Sequence, residues 1–194
     1  GSDALAVGPF TQSVTYLEEG DWVVITRNGA EIHEANGDLV HRPVTVVSAS
    51  AALVEKGSYR HFMEKEVHEQ PETTERTLSA YLDPVAGAVR AAIKAGIDFA
   101  HVSRIQIIAC GTAYLSGLVA KYWFEKIARL PVDIDVASEF RYRAAPMPPG
   151  GVTIAISQSG ETVDTLAAVH YARSQGQIVL SVVNVAESAI ARAS

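Results

Sequence analysis

The chain has 194 residues, of which 48% are hydrophobic and 20% charged, and its formal net charge is −6. This length can bury the core of one or two domains, and the composition is that of a globular protein. The acidic balance argues against nucleic acid or an anionic membrane surface as a partner, because both attract clustered Lys and Arg. There is no apolar run of about 18 residues, and the single cysteine, Cys110, excludes an internal disulfide. The sequence therefore predicts a soluble, cytoplasmic-type protein.

Residues 1–57 consist of short apolar runs separated by turn residues. The run Trp22–Thr26 is rich in β-branched and aromatic residues, as strands prefer. Asn28-Gly29 follows this run, and Asn36-Gly37 follows the next one. Because Asn-Gly favours the positive φ of a type I′ turn, this spacing predicts an antiparallel β meander. Nothing in the segment forms a catalytic constellation.

Residues 58–83 are charged and carry a helical pattern, which Pro71 is predicted to end. His61 and His68 lie in this segment, seven positions apart. This differs from the i, i+4 spacing of a helical zinc pair, so we expect no metal here. We interpret the segment as a solvated or interface helix.

From Pro84 onward the pattern is α/β. A helix is predicted over 86–95, and amphipathic helices are predicted between the apolar runs that follow. The first of these has apolar residues at three-to-four spacing: Leu115, Leu118, Val119, Tyr122 and Ile127. The apolar runs themselves are Ile105–Ala109, Val132–Val136, Val152–Ile156 and Ile178–Val183. Buried strands alternating with amphipathic helices predict a parallel, doubly wound α/β sheet.

Two strand-to-helix loops of this sheet carry polar residues, Cys110–Thr112 and Ser157–Thr162. The free N–H groups at a helix N-terminus attract an anion, and the helix dipole adds to that attraction. In open α/β sheets such loops meet beyond the carboxyl ends of the strands. Neither loop contains a lysine. The loops therefore favour a sugar phosphate, held by dipoles, over a magnesium-bound triphosphate.

Loop composition alone leaves other interpretations open. Ser and Thr are common helix caps, and Glu161 and Asp164 would in any case suit the dipole of a first helical turn. Cys110 at a strand end is more often a small buried hydrophobe than a nucleophile. Neither loop contains Gly-Lys-Ser/Thr or Gly-x-Gly-x-x-Gly, so no nucleotide motif is present.

The two loops resemble those of sugar isomerase (SIS) domains, in which a Ser-Gln-Ser-Gly-Glu-Thr loop wraps a sugar phosphate. More narrowly, the chain resembles the glucosamine-6-phosphate synthase family, the glutamine:fructose-6-phosphate amidotransferases. Four segments carry this resemblance, in the family's order: Leu17–Asp21, Tyr59–Pro71, Ala137–Arg143 and Ser157–Thr165. The helix ending in Lys65–Pro71 is the most specific of them, because generic SIS proteins lack it.

The resemblance implies a domain organisation and a reaction. Residues 1–57 would end a glutaminase (Ntn-type) domain, 58–83 would form a linker helix region, and 84–194 a truncated first SIS domain. The family converts fructose 6-phosphate and glutamine into glucosamine 6-phosphate and glutamate, without a cofactor and as a homodimer. Its catalytic residues match none of the residues present, so we expect the chain to be an internal fragment that is inactive alone. Its opening Gly-Ser would also fit a cloning scar.

The resemblance also assigns binding residues, but no catalytic residue and no metal ligand. Ala113 stands where many family members have a serine that donates to the phosphate. Losing one such hydrogen bond costs about 0.5–1.5 kcal/mol. The phosphate contacts carried over are Ser157, Gln158, Ser159 and Thr162, while Cys110, Gly111 and Thr112 would touch the sugar and shape the pocket.

Two alternatives stay open on the sequence. One is an SIS-type sugar-phosphate-binding regulator without catalysis, although such a sensor would carry a DNA-binding segment instead of the meander and the helix at Pro71. The other is a different sugar isomerase of the SIS class. It would need its own acid or base near the loops, and Glu161 and His170 are the only candidates.

Overall fold

Two structural units make up the chain, Gly1–Val54 and Glu55–Ser194. The computed structural model describes residues 1, 7–8, 10–46, 56–89 and 97–194. Within those ranges no helix has both the length and the apolar character that crossing a membrane requires.

The first unit is built from antiparallel strands, as predicted. Strand β1 (Ser13–Thr15) pairs with β5 (Val44–Val46), while β2 (Trp22–Thr26), β3 (Gly29–His33) and β4 (Leu39–Val40) form a meander. The first hairpin does not turn where we predicted. Thr26 pairs with Gly29, so the two-residue loop is Arg27-Asn28 and Gly29 already belongs to β3. The register of the flanking strands thus overrides the local preference of Asn-Gly.

A charged cluster around Arg42 holds the turn before β2. The Nε and Nη2 atoms of Arg42 donate to the two carboxylate oxygens of Asp21, at 2.9 and 3.0 Å. The backbone N–H of Glu18 donates to the same carboxylate at 2.9 Å. These hydrogen bonds lower the pKa of Asp21, the Arg42 contact most of all. The Asp21 side chain is only 2% exposed, so its charge depends on these partners.

Helix α1 (Phe62–Tyr81) continues through Pro71, so our prediction that Pro71 ends it was wrong. A proline has no backbone N–H, so Pro71 cannot donate a hydrogen bond to the carbonyl of Val67, four residues earlier. Val67 and most of the helix are exposed, so water can donate to that carbonyl. Thr73 supplies a further bond, because its hydroxyl donates to the Gln70 carbonyl at 3.1 Å.

The two histidines of this region have separate surroundings. The His68 ring stacks on Tyr59 with 5.4 Å between ring centroids, and His61 precedes the helix as its N-cap residue. Among the described residues, no group of three or more His, Cys, Asp or Glu side chains is placed to hold a metal ion.

The helix predicted over 86–95 was wrong in its first part. Strands β6 (Leu82–Asp83) and β7 (Ala88–Val89) pair antiparallel around a turn. The Asp83 carboxylate accepts the N–H groups of Val85 and Ala86, each at 3.0 Å, which stabilises a turn in place of a helix. Residues 90–95 of that prediction lie outside the described residues.

The second unit contains the predicted doubly wound sheet. The elements are β8 (Arg104–Ala109), α2 (Gly111–Trp123), β9 (Val132–Val136), α3 (Ala137–Arg143), β10 (Gly151–Ser157), α4 (Val163–Ser174), β11 (Ile178–Val183) and the short α5 (Ala189–Ala193). The four strands of the sheet are all parallel and lie in the order β11–β10–β8–β9. A π-helical turn, Phe124–Ala128, extends α2. The predicted strands are confirmed to within one residue at each end.

Each face of the sheet has its own apolar core. On one face the strand residues Ile105, Ile107 and Val152 pack with Ala120 of α2 and Phe124 of the π-helical turn. The other face carries α3, α4 and α5, whose buried residues pack on the strand residues Ile108, Ala155 and Val179. The helices after β8 and β10 therefore leave the sheet on opposite sides.

Helix α2 approaches the sheet through a glycine. A Cβ added at Gly117 would lie 2.7 Å from Ile134 Cδ1 and 2.9 Å from Ile107 Cγ2. The apolar stripe of this helix faces outward, contrary to the usual expectation for an amphipathic helix. Of the predicted stripe only Leu118 is half-buried. The other members and the adjacent Trp123 are between 50% and 79% exposed: Leu115, Val119, Tyr122, Trp123 and Ile127.

We expect Gly117→Val to destabilise the second unit by about 1–3 kcal/mol, since the added side chain overpacks the contact with Ile107. Native-state hydrogen exchange of the β8 amides measures this change, because it reports the free energy of opening the sheet. Ser116→Val, at the neighbouring exposed position, is the matched control. It should change the free energy of opening by about 0.5 kcal/mol or less. Equal effects of the two variants would contradict the close-approach argument.

We expect the first unit to lose stability in acid through Asp21. Its folded pKa lies below the unfolded value, so its contribution is present above about pH 4 and disappears as the pH falls through the folded pKa. Asp21→Asn should therefore be less stable than wild type at pH 7, with the gap closing in acid. Urea unfolding followed by Trp22 fluorescence, in a Trp123→Phe background, measures both stabilities.

The exposed Glu19 provides the control for this acid prediction, because Glu19→Gln removes a neighbouring charge outside the Arg42 contact. A gap between Asp21→Asn and wild type that stays constant from pH 7 to pH 2 would show that the carboxylate charge is not what stabilises this turn.

Candidate functional site

The two polar loops lie side by side at one edge of the second unit. Strands β8 and β10 are neighbours, with Ala109 opposite Ile156, so Cys110 and Ser157 leave the sheet next to each other. The Thr165 hydroxyl, in the first turn of α4, lies 4.0 Å from the Cys110 sulfur. Since α2 and α4 cover opposite faces, this is a topological switch point, where open α/β sheets bind ligands.

Side-chain hydroxyls shape the Ser157–Thr162 loop from inside. The buried Ser157 Oγ accepts the N–H of Gly160 at 3.0 Å and lies 3.1 Å from Thr162 Oγ1. The Ser159 Oγ accepts the N–H of Glu161 at 3.1 Å. Gly160 has the left-handed φ of +68°, which suits glycine. The loop thus has a defined internal structure of its own.

Both helices begin at this edge without a side-chain cap. Cys110 is the N-cap residue of α2 and Thr162 that of α4, and neither side chain makes a capping hydrogen bond. The first N–H groups of a helix have no intrahelical partner, so these two ends can donate to an external acceptor. Gly111, Thr112 and Gln158 are exposed here.

The nearby arginines are already paired with carboxylates. Arg141 donates to Asp164 at 3.0 Å, and Arg143 pairs with Asp135. Burial raises the pKa of the Asp135 carboxyl, and the opposing effect of Arg143 offsets only part of that rise. Arg141 and Arg143 are therefore engaged, and neutral donors and helix dipoles are what this edge offers to an anion.

The structure gives the isomerase alternative little basis. The Glu161 carboxylate accepts the N–H of Ala189 at 2.8 Å. His170 is exposed on α4, eight residues beyond Thr162, which places it roughly 12 Å along the helix axis from the loop. Neither side chain is placed as an acid or base between the two loops.

The segment after β11 contacts the Ser157–Thr162 loop, which we did not predict from the sequence. The N–H of Asn184 donates to the Gln158 carbonyl at 3.2 Å, and that of Ile190 to the Gly160 carbonyl at 2.9 Å. Ser188 is the N-cap residue of α5, and a serine before an apolar helical run is a detectable signal of a helix start. Ser188 lies near the Ser157–Thr162 loop only because of the tertiary fold, which cannot be predicted from the local sequence.

The strand order and the two adjacent loops define a doubly wound α/β domain with a crevice at its topological switch point. Residues 98–194 match the SIS domain. The chain belongs to the SIS domain family.

Curated relatives extend the match over the whole chain. An isomerizing glutamine–fructose-6-phosphate aminotransferase of Bradyrhizobium diazoefficiens is 56% identical over 194 residues, covering 100% of this chain and 32% of the relative. One from Caulobacter vibrioides is 54% identical, covering 99% of this chain and 31% of the relative. This confirms the resemblance seen in the four segments. The chain spans about a third of the length of these relatives.

Solved structures agree with the fold. The C-terminal domain of glucosamine-fructose-6-phosphate aminotransferase from Francisella tularensis has a TM-score of 0.62 and 39% identity, and the match covers 71% of this chain and 39% of that one. The sugar isomerase domain of an RpiR transcription factor from Sphaerobacter thermophilus has a TM-score of 0.51 at 16% identity, covering 66% of this chain and 71% of that one. The second likeness shows the fold alone.

We expect Ser157→Ala to lower the stability of the second unit by about 1–3 kcal/mol, because it leaves the buried N–H of Gly160 without its acceptor. Ser159→Ala, in a more exposed part of the loop, should cost less than half as much. Hydrogen exchange of the β10 amides compares the two variants. Equal losses would show that the buried hydroxyl has no special structural role.

Proposed function

We propose that this chain supplies the sugar-phosphate cradle of a glutamine-dependent fructose-6-phosphate aminotransferase. The observation that carries the proposal is the pair of helix N-termini, free of side-chain caps, that meet where β8 and β10 end. The relatives, which are 54% to 56% identical over nearly the whole chain, are named for this activity.

The proposed binding residues divide into two groups by position. Ser159 and Thr162 are half-buried and Gln158 is exposed, so their donors can reach a phosphate in front of α4. Ser157 acts through the loop, since its hydroxyl is engaged with Gly160 and Thr162. Cys110, Gly111 and Thr112, at the start of α2, would then contact the sugar.

Holding the phosphate would serve the chemistry at the other end of the sugar. Binding energy from a remote, unreactive group can fix the orientation of reacting carbons. The parent reaction joins ammonia from glutamine to C2 of fructose 6-phosphate and isomerises the product to glucosamine 6-phosphate. In this proposal residues 1–57 end the glutaminase domain, 58–83 link the domains and 84–194 form the first SIS domain.

We infer that the protein is a cytoplasmic homodimer, with α2 contributing to a surface between subunits or domains. The outward apolar stripe from Leu115 to Ile127 supports this inference, since contiguous exposed apolar surface marks an interaction site. The single cysteine fits a reducing compartment.

Calorimetric titration with fructose 6-phosphate tests the proposal, with fructose and inorganic phosphate as controls. We expect the sugar phosphate to bind more tightly than either control. Ser159→Ala should weaken binding by about 10- to 100-fold, the value of one hydrogen bond to a charged group. Ser174→Ala, an exposed serine at the other end of α4, should leave the affinity unchanged.

Two outcomes would contradict the proposal. If inorganic phosphate bound as tightly as fructose 6-phosphate, the site would be a generic anion-binding helix end. If neither bound, the edge would not be a phosphate site at all.

A further inference from the structure

The segment that follows β11 is hydrogen-bonded at three positions to the anion-binding loop, Ser157–Thr162. The N–H of Asn184 donates to the Gln158 carbonyl at 3.2 Å. The N–H of Ala189 donates to the Glu161 carboxylate at 2.8 Å, and that of Ile190 to the Gly160 carbonyl at 2.9 Å. These contacts reach Gln158, Gly160 and Glu161. They add to the hydrogen bonds that Ser157 and Ser159 make within the loop, so this segment is a second source of order.

Close packing accompanies these hydrogen bonds. A Cβ added at Gly160 would lie 1.9 Å from Ser188 Oγ, so the loop backbone sits directly against that side chain. Ser188 is 1% exposed and Ile190 is fully buried in the core beneath α4. The start of α5 is therefore a fixed support against which the loop rests.

Glu161 is an unusual residue for a loop that holds an anion. A carboxylate beside a bound phosphate repels it, and a freely rotating side chain would also compete for the same donors. Here the carboxylate is directed to the backbone N–H of Ala189. The second nearby acid, Asp164, is likewise paired, with Arg141 at 3.0 Å.

We propose that Glu161 is a positioning residue, whose carboxylate joins the anion-binding loop to the start of α5 and so holds Ser159 and the first turn of α4 in the geometry that receives phosphate. This inference rests on the proposed sugar-phosphate function. Glu161 acts through the loop and does not contact the ligand.

Two substitutions of Glu161 distinguish the effect of its hydrogen bond from the effect of its charge. Glu161→Ala removes the acceptor of the Ala189 N–H and should weaken fructose 6-phosphate binding about tenfold. Glu161→Gln keeps an acceptor oxygen and removes the charge, so its affinity should equal or exceed that of wild type. The control is Glu187→Ala, which removes an exposed acid from the same segment and should leave binding unchanged.

The test combines two measurements on the 194-residue chain. Hydrogen exchange of the Ala189 and Ile190 amides reports the contact itself, without any ligand, and calorimetry reports the affinity for fructose 6-phosphate. We expect Glu161→Ala to expose these two amides while the β8 and β10 amides stay protected, and Glu161→Gln to restore both the protection and the affinity.

Other results would overturn the proposal in distinguishable ways. Loss of amide protection in Glu161→Ala with unchanged affinity would show that the contact does not position the loop. Equal weakening by Glu161→Gln and Glu161→Ala would assign the effect to charge. If wild type failed to bind fructose 6-phosphate, the proposed function would fail and this inference with it.

Discussion

The parallel pairing of β8 with β10 is the constraint on which the second unit depends. It makes two strands that are distant in sequence neighbours in the sheet, while their helices leave on opposite faces. The ends of these strands therefore lie between α2 and α4, and two helix N-termini face the same space. The close approach of α2 at Gly117 keeps the first of these ends near the sheet. The crevice therefore follows from the strand order and the helix connections, whatever side chains line it.

Charged side chains at this edge are paired, which leaves dipoles and neutral donors to meet the proposed anion. The acids closest to the Ser157–Thr162 loop are each held by another group, Glu161 by the Ala189 N–H and Asp164 by Arg141. The arginine is therefore used to neutralise an acid. Such a site favours a ligand that carries one phosphate and is recognised also by its neutral part, which is consistent with a sugar phosphate.

The sequence predicted the parallel sheet well because its strands are buried on both faces and read as continuous apolar runs. It predicted the loops because glycines and hydroxyl residues mark strand-to-helix turns. It failed where tertiary structure or solvent decides. Exposure lets α1 continue through Pro71, and strand register moves the first hairpin away from Asn28-Gly29. The different roles of Ser157 and Ser159 depend on where β10 ends, and the support from Ser188 comes from across the fold.

Amide chemical-shift mapping would locate bound fructose 6-phosphate on the protein and so decide whether the two loops form one site. We expect the largest shifts to fall on two separate stretches, Cys110–Ala113 and Ser157–Asp164, with little change in the strands of the first unit. Shifts confined to one of these stretches, or centred elsewhere in the chain, would contradict the view that the two helix N-termini form one site.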